Sequence, residues 1–222
     1  YDSAGRAVEI CAVVASVHHD EGKDLEELAR EVKTLVIAPT CQQHLPIAQN
    51  AHVLVNPSGK FTIGGPTADT GLTGRKLAVD TYGGLAAHGG GAFSGKDASK
   101  VDRSAAYMAR LIAKTIIAAD LAEEATVAIS YAIGKADPVA FSVDTAGSGL
   151  YSDALLTRAA SAVFPLRPAA IIDALNLQRA GFSRFSTYGH FGGTGAWENE
   201  FRYKRELEKA VNHFADQDAT DW

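Results

Sequence analysis

The stretch Gly89–Ser104, GGGAFSGKDASKVDRS, carries the side chains best suited to chemistry. Its glycines allow backbone N–H groups to approach an anion closely. Cationic side chains neutralise phosphate charge, and a nearby carboxylate can hold a divalent cation that bridges phosphate oxygens. The charged residues of the stretch are Lys96, Asp97, Lys100, Asp102 and Arg103. This combination favours a site for a polyphosphate nucleotide with magnesium.

A second segment, residues 58–80, repeats the pairing of glycines with charge. Its charged residues are Lys60, Asp69, Arg75, Lys76 and Asp80. One such turn alone would be typical of a solvated surface. Two cationic glycine-rich segments in a chain of formal net charge −5 favour a local anion site instead. Phe61 and Phe93 either belong to the core or flank a nucleobase, and their spacing favours the core.

Other interpretations of these residues are weaker. Gly90–Asp97 nearly matches the phosphate loop GxxxxGK[ST], but Asp97 stands where that loop needs a hydroxyl, and no buried strand leads into it. His88 and His190 are each typical of a buried, hydrogen-bonded histidine. The pair His18–His19 ends a predicted strand without a third ligand at metal spacing. Serines are present, but none lies in a GxSxG elbow or has an evident base.

Composition limits the class of protein. The 222 residues suffice for one large domain or two small ones, and 46% apolar with 21% charged residues is typical of a globular protein. The acidic balance gives no reason to expect a nucleic-acid or membrane partner. Cys11 and Cys41 favour free thiols of a reducing compartment over a disulfide bond. Since no apolar run reaches the roughly 18 residues of a membrane span and no signal-peptide pattern is present, we expect a cytoplasmic location.

The elements that must position these residues follow from periodicity and from helix caps. Predicted strands cover residues 8–19, 52–55, 61–63, 76–81, 125–133 and 138–145. Predicted helices run from Asp24 to about Ala38, ending at Pro39, and over 104–121, 153–164, 168–175 and 198–215, before a frayed tail, DQDATDW. The order strand, helix, proline occurs twice, which weakly indicates a duplicated unit. Strands packed by helices on one face predict an α+β fold.

Four stretches together resemble the S-adenosylmethionine synthetase (methionine adenosyltransferase) family. They are NPSGKFTIGGPTADTGLTGRKLAVDTYGG, HGGGAFSGKDASKVDRSAAY, VAISYAIG and TYGHFG. The GGGAFSGKD stretch is a hallmark of that family. The resemblance runs from Tyr1 to about Trp197, and the end beyond Trp197 does not obviously match. It implies that residues 1–63 are the second half of the middle domain and residues 64–222 the C-terminal domain.

The resemblance also implies a fold of three similar α+β units around a pseudo-threefold axis, of which this chain would hold about one and a half. It implies a homodimer, or a tetramer of two dimers, with active sites at the subunit interface. In the implied reaction the sulfur of L-methionine attacks C5′ of ATP and displaces the whole triphosphate. The triphosphate is then cleaved to phosphate and diphosphate, with Mg²⁺ and K⁺ as cofactors.

Site residues are carried over at matching positions only. The ATP contacts implied are Lys60, Phe61, Arg75, Lys76, Ala92 and Lys96. The methionine contacts implied are Asp69 and Lys100, and the magnesium ligand is Asp102. The residues expected to carry catalysis are Arg75, Lys96 and Lys100. Arg75 would stabilise charge on the departing triphosphate. No general base is needed, because a thioether sulfur has no proton to lose.

The match to the family pattern is incomplete. Ala68 and Ala98 stand where the family usually has glycine and proline, which should alter loop stiffness rather than chemistry. The chain begins at Tyr1 without a methionine and lacks the family's GHPDK motif, so we expect a fragment or a processed product. Such a chain would hold roughly half of the site and would not turn over alone. The alternative is a non-catalytic truncated homologue that binds and regulates a full-length synthetase.

Overall fold

The computed structural model describes residues 1–3, 5–179, 181–185 and 187–220. It divides into two compact units, Tyr1–Gly71 and Leu72–Trp222. Each unit combines helices with a two-stranded sheet, so the predicted α+β class is confirmed. The pseudo-threefold repeat and the predicted domain division at residue 63 stay predictions.

The first unit is a parallel strand pair covered by helices. Its strands are β1 (Ile10–Ala15) and β2 (Ile47–Val55), paired in parallel with Val13 opposite Val53. Between them lie α1 (Leu25–Val32), a π-helical turn (Lys33–Ile37) and α2 (Ala38–Gln42). The buried side chains of Leu28, Val32 and Ile37 pack on the sheet. Asp24 caps α1 as predicted, because its carboxylate accepts a hydrogen bond from the Glu27 N–H.

Four predictions of regular structure in this unit were wrong. Strand 8–19 is shorter than predicted, strand 52–55 begins earlier, and residues 61–63 form no strand. Pro39 does not end the helix. The turn before it widens so that the Ala38 N–H bonds to the Lys33 carbonyl five residues back, and Pro39 enters the first turn of α2. A widened π-helical turn of this kind interrupts an α-helix locally, and here the helix continues past the proline.

The second unit is built around one long helix. Its elements are α3 (Leu77–Asp80), α4 (Val101–Ala118), β3 (Thr126–Ser130), β4 (Ala140–Asp144), α5 (Asp153–Val163), α6 (Pro168–Leu175) and α7 (Lys204–Thr220). Strands β3 and β4 are antiparallel, with Thr126 opposite Asp144. Helix α4 buries Met108, Leu111 and Ile112 completely, so the core surrounds its inner face. The helix thereby fixes the residues that precede its first turn.

Two segments of this unit have a structure different from the predicted one, in addition to shifted ends such as those of α4 and β3. Residues 76–81 form the short helix α3 instead of a strand, and the Thr81 hydroxyl closes it by donating to the Leu77 carbonyl at 2.7 Å. The last helix begins at Lys204, because residues 196–198 form a separate 3₁₀ turn with Trp197 buried. It continues to Thr220, so the tail predicted to fray is helical to that point. Residues 221 and 222 of that tail lie outside the described residues.

The length and apolar character of the helices bear on membrane spanning. Within the described ranges, no single helix has the length and apolar character needed to cross a bilayer. Helices α5 and α6 meet these criteria only as a bent pair, with an angle of 74° between them.

Candidate functional site

The glycine loop, defined as residues 89–96, folds back against the first turn of α4. Gly90 and Gly95 have φ angles of 86° and 83°, a backbone region that favours glycine. A Cβ built on Gly91 would lie 2.6 Å from the Cβ of Asp102 and 2.7 Å from the Oδ1 of Asp102, which is closer than real contacts allow. Gly91 is therefore required for the carboxylate of Asp102 to lie directly on the loop.

Charged groups gather where this loop enters α4. Lys100 occupies the N-cap position of the helix, and the Asp97 carboxylate accepts a hydrogen bond from the Ser99 N–H at 2.9 Å. Hydrogen bonds from the Ser99 side chain and backbone hold the pKa of Asp97 below its usual range. The Lys96 ammonium pairs with the Asp102 carboxylate, with Nζ 2.5 Å from Oδ2. The predicted phosphate-binding lysine and the predicted magnesium ligand are thus neighbours.

Residues 73 and 74 of the second cationic segment pack against the same loop. A Cβ built on Gly74 would lie 2.5 Å from the Cβ of Ala92, and one built on Gly95 would lie 3.9 Å from Cγ2 of Thr73. Arg75 and Lys76, which follow Gly74 in the sequence, are exposed to solvent. Two segments that are distant in the sequence are therefore brought together, as the charge pattern predicts.

His190, in the segment Tyr188–Phe191, connects these parts. Its backbone N–H donates to the Asp80 carbonyl at 2.9 Å, and its ring Nε2 lies 3.0 Å from the Ser94 hydroxyl. Its Nδ1 lies 2.7 Å from the hydroxyl of Tyr107 on α4. The predicted burial of His190 is confirmed, since 1% of it is exposed. Sequence reasoning missed its connecting role, because the pattern YGHFG does not reveal which segments it contacts.

Two cavities of about 600 Å³ border the glycine loop. The first is lined by Gly89, Gly91 and Asp102, together with Tyr82, Phe191 and the residues of β3. The second is lined by charged and polar side chains together with apolar ones. These charged and polar residues are Lys96, Asp97, Ser99, Arg103, Gln178 and Arg179. The walls of the two cavities thus include both partners of the ion pair, Asp102 in the first and Lys96 in the second.

His88 also lines the first cavity. Its Nδ1 accepts a hydrogen bond from the Gly90 N–H at 2.7 Å, so the ring proton resides on Nε2. That Nε2 is buried, and it has no hydrogen-bond partner among the described residues. The predicted hydrogen bonding of His88 is therefore confirmed at one ring nitrogen only.

In the first unit, two histidines fix the segment Lys60–Thr62. His18 donates from Nε2 to the Thr62 carbonyl at 3.1 Å, and its ring packs on Phe61. His19 accepts at Nε2 from the Phe61 N–H at 3.1 Å. Phe61 stays 37% exposed, so its predicted place in the core is wrong. Adjacent histidines in a sequence suggest metal binding first, and their spacing does not reveal this positioning role.

The remaining predicted residues can be placed within their own units. The Lys60 ammonium donates to the Glu21 carbonyl at 3.0 Å, and Asp69 is exposed beside the turn at Gly65. Phe93 is 1% exposed, so its predicted place in the core is confirmed. Lys60, Phe61 and Asp69 belong to the first unit, whereas the other predicted site residues belong to the second.

Glu198 is a structural residue that sequence reasoning missed. Its buried carboxylate accepts hydrogen bonds from Arg110, Lys114 and the Gly192 N–H at 3.0–3.2 Å. Burial by itself would raise the pKa of Glu198, but the hydrogen bonds outweigh burial and lower it. This cluster attaches the segment after Phe191 to α4.

The donor set near the loop bears on the expected magnesium. Among residues 1–3, 5–179, 181–185 and 187–220, no group of three or more His, Cys, Asp or Glu is placed to hold a metal ion. Protein sites for Mg²⁺ often supply one or two carboxylates and leave the other positions to water and substrate phosphates. The half-exposed Asp102 carboxylate fits that role.

Known proteins are similar to this chain over most of its length. The family model described as S-adenosylmethionine synthetase, C-terminal domain, matches residues 63–202. The chain belongs to the S-adenosylmethionine synthetase family. It is 50% identical over 192 residues to the S-adenosylmethionine synthase of Nocardioides sp. (strain ATCC BAA-499 / JS614), covering 86% of this chain and 48% of that relative.

A second relative agrees with this assignment. The S-adenosylmethionine synthase of Tropheryma whipplei (strain Twist) is 50% identical over 192 residues, covering 86% of this chain and 49% of that relative. The chain thus spans about half the length of the curated relatives it matches. The family resemblance predicted from the sequence is confirmed.

Proposed function

We propose that this chain supplies the C-terminal part of a methionine adenosyltransferase, which forms S-adenosylmethionine from ATP and L-methionine. The observation that carries the proposal is the packing of segment 72–76 on the glycine loop, within a chain of this family. A lone pair on the methionine sulfur forms the bond to C5′, and the C5′–O bond breaks with its electrons leaving on triphosphate. Water then cleaves the triphosphate to phosphate and diphosphate.

The cationic side chains have the role of stabilising the departing triphosphate. Electrostatic stabilisation of developing charge usually contributes more to the rate of such reactions than any other single effect. Arg75, Lys76 and Lys96 are assigned to the polyphosphate, and the Ala92 backbone to the nucleotide. The assignment of Lys60 and Phe61 to ATP, and of Asp69 and Lys100 to methionine, rests on family positions alone. Of the assigned residues, Arg75, Lys96 and Lys100 are those proposed to act in catalysis.

Magnesium is assigned to the Asp102 carboxylate. A bound Mg²⁺ would supply charge neutralisation at the phosphate oxygens. Lys96 pairs with that carboxylate at 2.5 Å, so binding a cation at Asp102 would release the Lys96 ammonium for a phosphate oxygen. Potassium is proposed from the family alone, and no step is assigned to it.

We further propose a homodimer, or a tetramer of two dimers, with the active site at the subunit interface. Support comes from β3, in which Thr126, Ala128 and Ser130 are exposed and the residues between them are half-buried. A sheet face that carries small side chains and is left uncovered by helices can stack on a second copy. Cys11 and Cys41 are free thiols, as predicted, and they support the cytoplasm as the proposed location.

A chimaera tests the proposed function directly. The chain would replace the matching 192 residues of the Tropheryma whipplei synthase, and the chimaera would receive methionine and ATP. We expect S-adenosylmethionine, phosphate and diphosphate in equal amounts, with no ADP. Formation of ADP, or a folded chimaera that makes no S-adenosylmethionine, would overturn the proposal. An inactive chimaera combined with tight binding of the chain to the intact synthase would favour the regulatory homologue.

A further inference from the structure

A chain of hydrogen bonds runs from α4 through the core to the glycine loop. Arg103 Nε donates to the Tyr107 hydroxyl at 3.1 Å, and that hydroxyl lies 2.7 Å from His190 Nδ1. His190 Nε2 lies 3.0 Å from the Ser94 Oγ. Arg103, Tyr107 and His190 are 5%, 0% and 1% exposed, so water does not compete at the inner links.

The donor and the acceptor in each of these hydrogen bonds follow from the first donor, Arg103. A guanidinium can only donate, so Tyr107 accepts at its oxygen and has one proton to give. That proton goes to His190 Nδ1, which is its one acceptor among the described residues. The opposite arrangement would leave a buried hydroxyl proton without a partner, at a cost in stability.

The same reasoning fixes the ring of His190. Burial lowers the pKa of His190, and the Arg103 charge adds to that effect while Asp80 opposes it, so the ring is neutral near pH 7. With Nδ1 accepting, the ring proton lies on Nε2 and is donated to the Ser94 Oγ. His190 therefore cannot remove a proton from Ser94, which excludes a nucleophile–base pair here.

The Ser94 hydroxyl is left with its own proton to donate. No acceptor for that proton is present in the part of the chain that the structure describes. Ser94 is partly exposed and lies two residues before Lys96, whose carbonyl accepts from Arg103 Nη1 at 2.7 Å. The same arginine thus fixes the loop backbone and sets the direction of the hydrogen-bond chain.

We propose that Ser94 is an anion-binding residue of the glycine loop, and that His190 is the positioning residue that directs its hydroxyl proton towards a phosphate oxygen. The ligand class is a polyphosphate chain, and to that extent the inference rests on the proposed function. Tyr107 and Arg103 act through His190 by holding its Nε2–H tautomer. A hydroxyl that donates to a charged oxygen without first turning away from another partner adds affinity at no cost in reorganisation.

The tautomer can be tested on the 222-residue chain by NMR of ¹⁵N-labelled imidazoles. For His190 we expect an unprotonated Nδ1 and a protonated Nε2 at pH 7. In Tyr107→Phe, which keeps the ring stacked on Trp197, the Nδ1 signal should shift because its hydrogen bond is lost. A protonated Nδ1 in the unsubstituted chain would overturn the inference without any measurement of binding.

The hydroxyl can be tested by calorimetric binding of magnesium tripolyphosphate to the same chain. Ser94→Ala should weaken binding about tenfold, which is the loss of one hydrogen bond to a charged group. Tyr107→Phe should weaken it several-fold, and the double variant should lose little more than Ser94→Ala alone. Thr115→Val is the matched control, because it deletes a fully buried hydrogen bond on the same helix away from the loop. Its affinity should be unchanged.

Failure of the inference and failure of the proposed function would look different. Binding that Ser94→Ala leaves intact would refute the inference alone. Additive losses in the double variant would refute the link through His190. A chain that does not bind tripolyphosphate would refute both the inference and the proposed polyphosphate site. Binding as expected, together with a chimaera that makes no S-adenosylmethionine, would refute the function and leave the Ser94 site standing.

Discussion

Replacing Gly91 with alanine should destabilise the second unit through one identifiable contact. The new Cβ would lie 2.6 Å from the Cβ of Asp102, whereas ordinary contact begins at 3.4 Å, so the two must separate by about 0.8 Å. A rotamer change cannot move the Cβ of Asp102. The loop or the first turn of α4 must therefore shift, and the 2.5 Å pair between Lys96 and Asp102 must lengthen.

The expected loss of stability in Gly91→Ala follows from the free energy that such steric overlaps cost. Overpacking at a fixed site typically costs about 1–3 kcal/mol. For a chain of this length each kcal/mol lowers the melting temperature by about 2–4 °C, which gives a decrease of roughly 2–12 °C. Fluorescence of the buried Trp197 during heating reports on the unit that contains the contact.

Neighbouring glycines provide matched controls for this experiment. A Cβ on Gly89 meets nothing within 4 Å, and its φ lies outside the positive region, so Gly89→Ala should change stability by less than about 0.5 kcal/mol. Gly90 has equally open space but a φ of 86°, so Gly90→Ala should cost about 1–2 kcal/mol through backbone strain alone. Equal melting temperatures for the Gly91→Ala and Gly89→Ala variants would refute the packing of Asp102 on the loop.

Three further predictions concern charge and protonation. Glu198→Gln should lower the free energy of unfolding, measured in urea, by about 1–3 kcal/mol, because two cations lose a buried partner. The control Glu208→Gln, at an exposed residue, should lower it by less than about 0.5 kcal/mol. Similar losses in the two variants would contradict this prediction. Burial lowers the pKa of His190, so its NMR signals should remain those of a neutral ring below pH 6.5. Its contribution to stability should be lost as pH falls from about 6.5 through the lowered pKa. Titration of His190 at its ordinary pKa would contradict this prediction. In the chimaera, Arg75→Leu should reduce kcat about 100-fold with little change in KM for methionine. The control Arg205→Leu should change neither constant. Equal effects of Arg75→Leu on kcat and KM would argue against a transition-state role.

Local patterns predicted the regular elements well where packing and capping agree. Helix α4 was predicted from its apolar face to begin at Ser104, and it begins three residues earlier, at Val101, with Lys100 in the N-cap position. Residues 76–81 were predicted as a strand from their composition. Among the residues that the structure describes, no strand pairs with them, and the Thr81 hydroxyl and the His190 backbone satisfy a helical turn instead. Partners distant in the sequence decide such short segments, and a local pattern does not contain them.

The candidate site was predictable to a similar extent. The charge pattern predicted that the segments at Arg75 and Lys96 share a site, and the packing of Gly74 on Ala92 brings these segments together. The pattern could not reveal that Lys96 pairs with Asp102, because the pair depends on the absence of a side chain at Gly91. Nor could it place His190 between Asp80 and Ser94, since 96 residues separate its ring from its partner in the loop.

Mapping of tripolyphosphate binding onto the backbone amides by NMR tests the central claim most directly. The account predicts that magnesium tripolyphosphate shifts the amide signals of residues 72–76, of the glycine loop and of the first turn of α4 together, with one common dissociation constant. Shifts confined to only one of the two cationic segments, or separate constants for the two, would contradict a shared polyphosphate site.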